Sequence, residues 1–417
     1  MTAPFYKQIY HKLRQSLAKI WIRNKRAVKI GITGSQGKTH TTLLIESILR
    51  QSGETVVTDV NLDSEFNVPI TALKVRSSTK YAVFEMGIDG FGQMGQYLNI
   101  VRPDIAVVTG VCAVHTDDDH LKSIENVVIE KGKLVEAVKP GGYAILNYDD
   151  KRVRGMQELT DSQIITYGTD DNAMIKLSNC RVGIDGTRFE LKISCNQKKA
   201  DLKIESKLIG RHQMYNIAAA YAVCCICGIS DEDFVQRIKE FEPLQGRLNL
   251  EDGPLGTLIL NDGLRANPDS MAAGLRALSD IAYSDGRKVA VLNEMGELSD
   301  PEAEHRKIGR LIAELDVDFV VCVGPLQKFT ADEAKSAGMK PDNVAWVDNV
   351  INAAQFLRGW LRKGDLLYIK GSRLRHSERI LMILEGEKLA CDVTSCHFYH
   401  DCKDCELKNV SGGKSTR

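Results

Sequence analysis

Lys38 and Thr39 close the run Thr33-Gly-Ser-Gln-Gly-Lys-Thr39, in which Gly34 and Gly37 bracket Ser35 and Gln36. Glycines at such a turn let backbone N–H groups close on phosphate oxygens, while the lysine reaches the β- and γ-phosphates and the next hydroxyl sits on Mg2+. The general phosphate-loop pattern has a glycine five positions before Gly37; Ile32 stands there, and Gly34 supplies the bend. Glu85 ends the apolar run Ala82-Val-Phe-Glu85, where a carboxylate at a strand tip suits a Mg2+ ligand; a helix N-terminal charge is the alternative. His115 follows a further apolar run by one loop, next to Thr116-Asp-Asp-Asp119, and metal ligation is expected of it, whereas the aspartates alone read as a solvated loop. Near the end, Cys391, Cys396, His397, His400, Cys402 and Cys405 crowd together. Cys402-Lys-Asp-Cys405 has zinc-knuckle spacing, and Cys391 and Cys396 would complete a tetrahedral Zn2+ site. A disordered tail with free thiols and a redox pair are the competing readings. Cys224, Cys225 and Cys227 lie on an apolar helix and read as small buried thiols rather than ligands.

These residues need elements to hold them. Residues 27–150 alternate strand-like apolar runs with helical stretches: Ala27–Ile32, Val56–Asp59, Tyr81–Met86, Asp104–Thr109 and Tyr143–Asn147. That alternation predicts a parallel, doubly wound sheet, with the phosphate loop joining the first strand to a helix over about 39–50. Over 172–206 the period changes to two, with Phe189, Leu191 and Ile193 alternating with polar residues, which predicts a small antiparallel extension. A buried helix is expected over 213–228. A Pro-Leu-Gln-Gly turn near 243–246 marks a boundary. Strand–helix alternation then resumes, with strands near Leu258–Asn261, Val289–Asn293, Phe319–Val323, Val344–Val347 and Leu366–Lys370. The expected fold is α/β: a phosphate-loop central domain (27–243), a Rossmann-like C-terminal domain (244–385), a basic N-terminal helix (1–26) and a Cys/His-rich tail (386–417).

Length and composition bound the rest. A chain of 417 residues with 43% hydrophobic content has material for two or three domains. Lys and Arg number 55, as do Asp and Glu, so no global field draws nucleic acid. No apolar run is long enough for a transmembrane helix, and residues 1–26 lack a signal-peptide core. Scattered cysteines suit a reducing cytoplasm. The first 26 residues interleave Lys7, Lys12, Arg14, Lys19, Arg23, Lys25 and Arg26 with Phe5, Tyr6, Tyr10, Leu13, Leu17, Ile20 and Trp21. Such a helix either lies on anionic lipid at the inner membrane face or packs its apolar face on the next domain. Packing is the favoured reading, because no linker separates it from the first strand.

The motifs together resemble the Mur ligases, ATP-dependent amide-forming enzymes of cell-wall peptide assembly, and most resemble their D-alanyl-D-alanine-adding branch. The resemblance runs from about residue 27 to 385. It is carried by Thr33–Thr39, Asn61-Leu-Asp-Ser-Glu-Phe-Asn-Val-Pro69, Phe84-Glu-Met-Gly87, Glu130-Lys-Gly-Lys133, Gly210-Arg-His-Gln-Met-Tyr-Asn216 and Gly246-Arg-Leu248. Further on it is carried by Asn261-Asp262 with Ala266-Asn-Pro-Asp-Ser270, Val291–Leu298 with His305, and Lys370-Gly-Ser-Arg373. The resemblance implies that Gly34, Ser35, Gly37, Lys38, Thr39 and Thr41 bind ATP and that Asn216 contacts adenine. It also implies that Arg247 reaches the γ-phosphate and that Asp262 and Asn267 lie at the ribose. It implies Mg2+ on Thr39 and Glu85, with a second metal on His115 and a carbamylated Lys131; by itself Lys131 reads as a surface helix lysine. Lys38, Lys131, His115 and Arg247 are the implied catalytic residues, and closure of the two domains is implied as well.

Departures from the family concentrate on the acceptor side. Gly110 replaces an Asn, Leu264-Arg265 a Tyr-Asn pair and Asn293-Glu294 a Gly-Asp pair, and no counterpart of the family's UDP-gripping N-terminal domain is read. The expected activity is ligation of an amino acid or dipeptide, D-Ala-D-Ala foremost, onto a small-molecule or carrier-linked peptide through an acyl phosphate. Lipid-linked, poly-amino-acid or folyl-type acceptors are alternatives, as is a non-catalytic nucleotide-binding partner.

Overall fold

The apolar run after Ala27 becomes an interior strand, third in order, of a nine-stranded sheet in the computed structural model of the chain. Residues 5–59, 64–112, 116–117, 120–195, 198–296, 298–391, 393–396 and 401–409 are described, with backbone alone at 5–8 and 407. The order is α1 (Phe5–Arg23), β1 (Val28–Thr33), α2 (Lys38–Leu49), β2 (Thr55–Val57), α3 (Ser64–Lys74), β3 (Tyr81–Glu85), α4 (Gln93–Ile100), β4 (Ile105–Val108), α5 (Ile124–Glu136), β5 (Tyr143–Asn147), α6 (Lys151–Gly155) and β6 (Gln163–Gly168). Then come β7 (Ile175–Gly183), β8 (Gly186–Cys195), β9 (Lys198–Ser206), α7 (His212–Ile226) and α8 (Asp231–Glu240). The strands order as β2-β3-β1-β4-β5-β6-β7-β8-β9. Pairing is parallel from β2 through β7, and the remainder is the antiparallel extension.

This order places the site. The chain leaves β1 toward β3 on one side and returns to β4 on the other, so the connections reverse direction at β1. Ligands of open α/β sheets bind outside the carboxyl ends of strands at that switch point. The sheet is anchored behind it: Ile30 and Ile32 are fully buried. Gly31 lacks a side chain where Leu134 of α5 packs, 2.8 Å from the position of a Cβ.

Two compact units partition the chain. The first holds α1, the greater part of the nine-stranded sheet and helices α2–α8, up to Phe241; the second runs from Glu242 and includes the short segments Arg181–Thr187 and Lys207–Arg211. The second unit comprises β10 (Asn249–Asp252), β11 (Leu258–Asp262), α9 (Pro268–Asp280), β12 (Lys288–Asn293), α10 (Pro301–Glu314), β13 (Phe319–Val323), α11 (Gln327–Ser336), β14 (Val344–Val347), α12 (Val350–Trp360), β15 (Leu366–Lys370) and α13 (Glu378–Leu384). Its sheet order is β10-β11-β15-β12-β13-β14, parallel except for β10 on β11. The sequence pattern misses β10 and β6. In β10 the polar residues Asn249, Glu251 and Asp252 leave little apolar signal on an edge strand, whose register with β11 is set by cross-strand pairing instead.

The N-terminal helix packs, but on a different face from the expected one. Ala18 and Ile22 are buried, Trp21 Nε1 donates to the Val75 carbonyl at 2.8 Å, and Lys19 Nζ donates to Asn99 Oδ1 at 2.6 Å. The larger apolar residues stay in solvent: Tyr10 is 65% exposed, Leu13 58%, Leu17 61% and Ile20 69%. At roughly 100° per residue these four share a face about 140° around the helix from Ala18 and Ile22. The small residues make the close contact, and the bulky stripe is left over.

Candidate functional site

The turn between β1 and α2 is built to approach an anion. Gly34 has φ +151° and Gly37 has φ +82°, conformations that L side chains rarely adopt. A Cβ on Gly34 would stand 1.9 Å from Thr109 Oγ1, and one on Gly37 would stand 2.4 Å from Asn216 Oδ1. Gly37 caps α2, whose first N–H groups and dipole face the turn. The residues after β4 brace the loop from beside it. Ser35 N–H donates to Gly110 O at 2.8 Å, Cys112 N–H donates to Ser35 Oγ at 3.1 Å, and the Thr109 hydroxyl donates to Gln36 O. Asn147 Nδ2 holds the Thr109 carbonyl at 3.1 Å, and Asp150 accepts from Val111 N–H at 2.7 Å.

Thr39 and Glu85 meet as the motif requires, the hydroxyl donating to Oε1 at 3.2 Å. A carboxylate beside a hydroxyl offers the hard oxygen donors Mg2+ takes, so the pair fits that ion. Glu85 is fixed through its backbone: its N–H donates to Thr58 Oγ1 at 2.9 Å, and Ser64 Oγ donates to its carbonyl at 3.3 Å. The same Ser64 oxygen accepts from Gly87 N–H at 2.8 Å.

Two lysines converge on one carbonyl. Lys38 Nζ donates to Gly34 O at 2.7 Å, and Lys131 Nζ donates to the same oxygen at 3.1 Å. Lys131 lies on the inner face of α5 and is among the largest fully buried side chains. Burial pushes its ammonium well below the ordinary lysine value, and the Lys38 charge pushes it further, against Cys112 and Glu130. Such a lysine presents a neutral, nucleophilic amine far more readily than a surface one. The surface-lysine reading of Lys131 is therefore excluded.

The remaining expected residues divide. Thr41 is fully buried on the core side of α2, and its hydroxyl meets no hydrogen-bond partner among the described residues. Asn216, buried in α7, supports Gly37 and donates through Nδ2 to Gln213 Oε1 at 2.9 Å. His115 lies outside the described residues. Arg247, Asp262 and Asn267 belong to the second unit. There Asp262 accepts from Lys370 Nζ at 2.8 Å and from the Tyr368 hydroxyl at 3.1 Å. Burial raises the Asp262 carboxyl against the pull of Lys370, and Arg247 acts electrostatically on both partners. Asn267 caps α9 in a reciprocal box with Ser270, accepting from Ser270 N–H at 2.8 Å. Thr109 and Cys112 carry no motif, and only the adjacency of β4 to β1 reveals them; Ser64 lies within the Asn61–Pro69 stretch, but its contact with Glu85 and Gly87 shows only once β3 is in place.

The expected four-sulfur zinc site does not form. Among the described residues Cys391, Cys396, Cys402 and Cys405 make no ligand group; the one group present is His376, Glu378 and Cys402. The physical reason is Arg379, whose guanidinium donates to Cys402 Sγ at 3.2 Å and to Cys391 Sγ at 3.3 Å and so separates the two sulfurs. Cys224 is a core thiol that burial holds protonated.

The Mur ligase middle domain description matches residues 32–224, and the Mur ligase glutamate ligase domain description matches residues 246–373. The chain is 32% identical over 362 residues to the UDP-N-acetylmuramoyl-tripeptide–D-alanyl-D-alanine ligase of Mycobacterium tuberculosis (strain CDC 1551 / Oshkosh), covering 82% of this chain and 70% of that one. It is 30% identical over 368 residues to the Bacillus subtilis (strain 168) protein of the same name, covering 88% and 78%. A crystal structure of MurF from Acinetobacter baumannii superposes with a TM-score of 0.79 at 26% identity, over 90% of this chain and 81% of that one. The MurF ligase of Thermotoga maritima in complex with ADP shares the fold, with a TM-score of 0.77 at 22% identity over 90% and 83%.

Proposed function

We propose, since the chain belongs to the Mur ligase family, that it adds D-alanyl-D-alanine to the free carboxylate of a cell-wall peptide precursor at the expense of ATP. It is an ATP-dependent ligase that forms a C–N bond. The observation that carries the proposal is the meeting of Thr39 with Glu85 at a glycine-built phosphate loop whose Gly34 carbonyl holds the buried Lys131. A carboxylate and an amine do not condense in neutral water without activation. Transfer of the γ-phosphoryl group to the carboxylate oxygen forms an O–P bond and releases ADP. The amine then attacks the acyl carbon, the C–O bond to phosphate breaks, and the amine's proton is lost.

Lys38 supplies a positive charge for the β- and γ-phosphates, exchanging its contact with Gly34 O for phosphate oxygen. Thr39 and Glu85 would hold a Mg2+ ion, and His115 with a carbamylated Lys131 a second; bound Mg2+ neutralises charge on the phosphoryl oxygens. The depressed Lys131 ammonium supports this role, because only the neutral amine takes up CO2, losing a proton to become an anionic carbamate. Arg247 is assigned a further cation for the γ-phosphate. The test is ADP release by the purified chain with UDP-N-acetylmuramoyl-tripeptide plus D-alanyl-D-alanine. Release that requires both substrates is expected; none with any peptide acceptor would overturn the proposal.

The acceptor could instead be presented at a membrane surface, a reading favoured by α1. No helix of the described residues is long and apolar enough to cross a membrane. Yet the exposed stripe of Tyr10, Leu13, Leu17 and Ile20 is flanked by Lys12, Lys19 and Arg23, and no acidic residue occurs before Glu46. An apolar face bordered by cations fits anionic headgroups over an acyl boundary. Co-sedimentation with phosphatidylglycerol vesicles, absent with phosphatidylcholine and lost in Leu17→Asp/Ile20→Asp, is the expected result. Equal recovery of wild type and variant would refute it.

A further inference from the structure

We propose that His376, Glu378 and Cys402 form a structural zinc site that fastens the C-terminal tail to the turn after β15. His376 and Glu378, two residues apart on the turn after β15, converge with Cys402 of the tail, with ligand atoms within 4.8 Å of one another. His376 Nδ1 is 3.1 Å from Cys402 Sγ and 3.9 Å from Glu378 Oε1. A tetrahedral zinc ion with ordinary bond lengths sets its N, S and O ligands roughly 3.3–3.6 Å apart, midway between those two distances. Nitrogen and sulfur donors select zinc over Mg2+ or Ca2+.

The charges around the cluster are those of a site that takes a cation through a thiolate. Glu378 Oε2 is buried and meets no hydrogen-bond partner among the described residues. Arg379 is 3% exposed and donates to Cys402 Sγ, Cys391 Sγ and the carbonyls of Cys391 and Val393. Among the described residues it makes no ion pair with a carboxylate. A buried guanidinium facing only neutral groups is costly, and a thiolate at Cys402 would neutralise it. Cys402 is itself only 3% exposed, so a thiolate there needs a cation to stabilise it. Zinc does so: the S–H proton leaves as the Zn–S bond forms, and the Arg379 N–H groups then donate to a charged sulfur. His376 is held in place by a left-handed backbone, φ +56°, unusual for a residue with a Cβ.

The site has a mechanical consequence. Cys396 N–H donates to the Leu374 carbonyl at 3.0 Å, and Asn293 Nδ2 donates to the Arg375 carbonyl at 3.0 Å. The turn Ser372–Ser377 is thus held by the tail on one side and by β12 on the other. Zinc would lock the tail's share of that grip. This inference does not depend on the proposed reaction.

The full chain is stripped with chelator, reloaded with Zn2+ and desalted, and its metal is counted by plasma mass spectrometry. About one zinc per chain is expected, and Co2+ substitution should give a thiolate charge-transfer band. Cys402→Ser and His376→Ala should weaken zinc binding by more than about 100-fold, whereas Arg379→Met should cost the roughly 10–100-fold of an outer-shell partner. Cys405→Ser should bind as wild type. Unaltered nucleotide binding verifies that each variant is folded, and Glu378→Gln, which keeps the side chain's shape, gives a second reading of the same ligand set. Absence of zinc and of the cobalt band overturns the proposal, as does equal loss in Cys405→Ser and Cys402→Ser.

Discussion

Lys131→Met should make the protein more stable and inactive at once. The wild-type ammonium is fully buried, is disfavoured first by burial and then by Lys38, and among the described residues finds only the Gly34 carbonyl as a hydrogen-bond partner. Methionine has similar length and no charge. Replacing a poorly compensated buried charge by an apolar side chain of like volume is worth on the order of 1–4 kcal/mol. The gain depends on pH with a definite sign. Between the depressed folded-state value and the ordinary 10.5, the unfolded chain binds a proton that the folded chain does not. Wild-type stability therefore rises with pH across that window, while the Met variant lacks this slope, so the two converge as pH approaches 10.5. Urea denaturation at several pH values in CO2-free buffer measures both the gain and its slope. Turnover should fall at least about 10²–10³-fold, the cost of losing one fixed charge-stabilising group. Wild-type activity should fall in CO2-free buffer, and Lys131→Ala should recover partly with acetate or formate. A Met variant with wild-type ADP release, or one destabilised with the pH slope intact, would refute the reasoning.

Three further outcomes follow from the geometry. Gly37→Ala places a Cβ at φ +82° and 2.4 Å from Asn216 Oδ1. The backbone term alone is about 1–2 kcal/mol, so calorimetry should show at least roughly tenfold weaker nucleotide binding. Thr39→Val and Glu85→Gln should each raise the Mg2+ concentration needed for activity while leaving metal-free ADP binding near wild type; an unchanged Mg2+ requirement would remove both residues from the metal site. Lys370→Met strands the buried Asp262 carboxylate and should destabilise by about 3–5 kcal/mol in urea, most of it recovered in the Asp262→Leu/Lys370→Met double variant.

What could be read from the sequence was whatever depends on neighbours along the chain. The strand, loop and helix around Lys38 and the carboxylate ending Ala82–Glu85 follow from local pattern, and the strands Tyr143–Asn147, Phe319–Val323, Val344–Val347 and Leu366–Lys370 fall where their apolar runs lie. Long-range pairing was invisible. Thr109 braces the phosphate loop only because β4 lies against β1. Spacing rules failed in the tail for a related reason. They count cysteines, but the group that forms recruits His376 and Glu378 from before the tail, and an arginine keeps the sulfurs apart. In α1 the amphipathic pattern was legible, but which face packs was not: the contact with the first unit uses Ala18 and Ile22, whose small signal the bulky stripe hides.

Lys131 shows why burial carries more functional information than position. An isolated Glu-Lys-Gly-Lys stretch on a helix gives no reason to expect an interior lysine, and an interior lysine beside another lysine lowers the stability of the chain that contains it. The arrangement is intelligible only with respect to a ligand. Lys38 and Lys131 both rest on Gly34 O in the free loop. A polyphosphate arriving at the helix N-terminus gives Lys38 a better partner and relieves part of the repulsion. A carbamate on Lys131, as proposed, would remove the rest by reversing the sign of one member of the pair. The electrostatic free energy that weakens the free protein is thus the same quantity that favours an anion at the loop. For that reason stability gained and function lost should appear together in the Met variant, rather than in separate mutants.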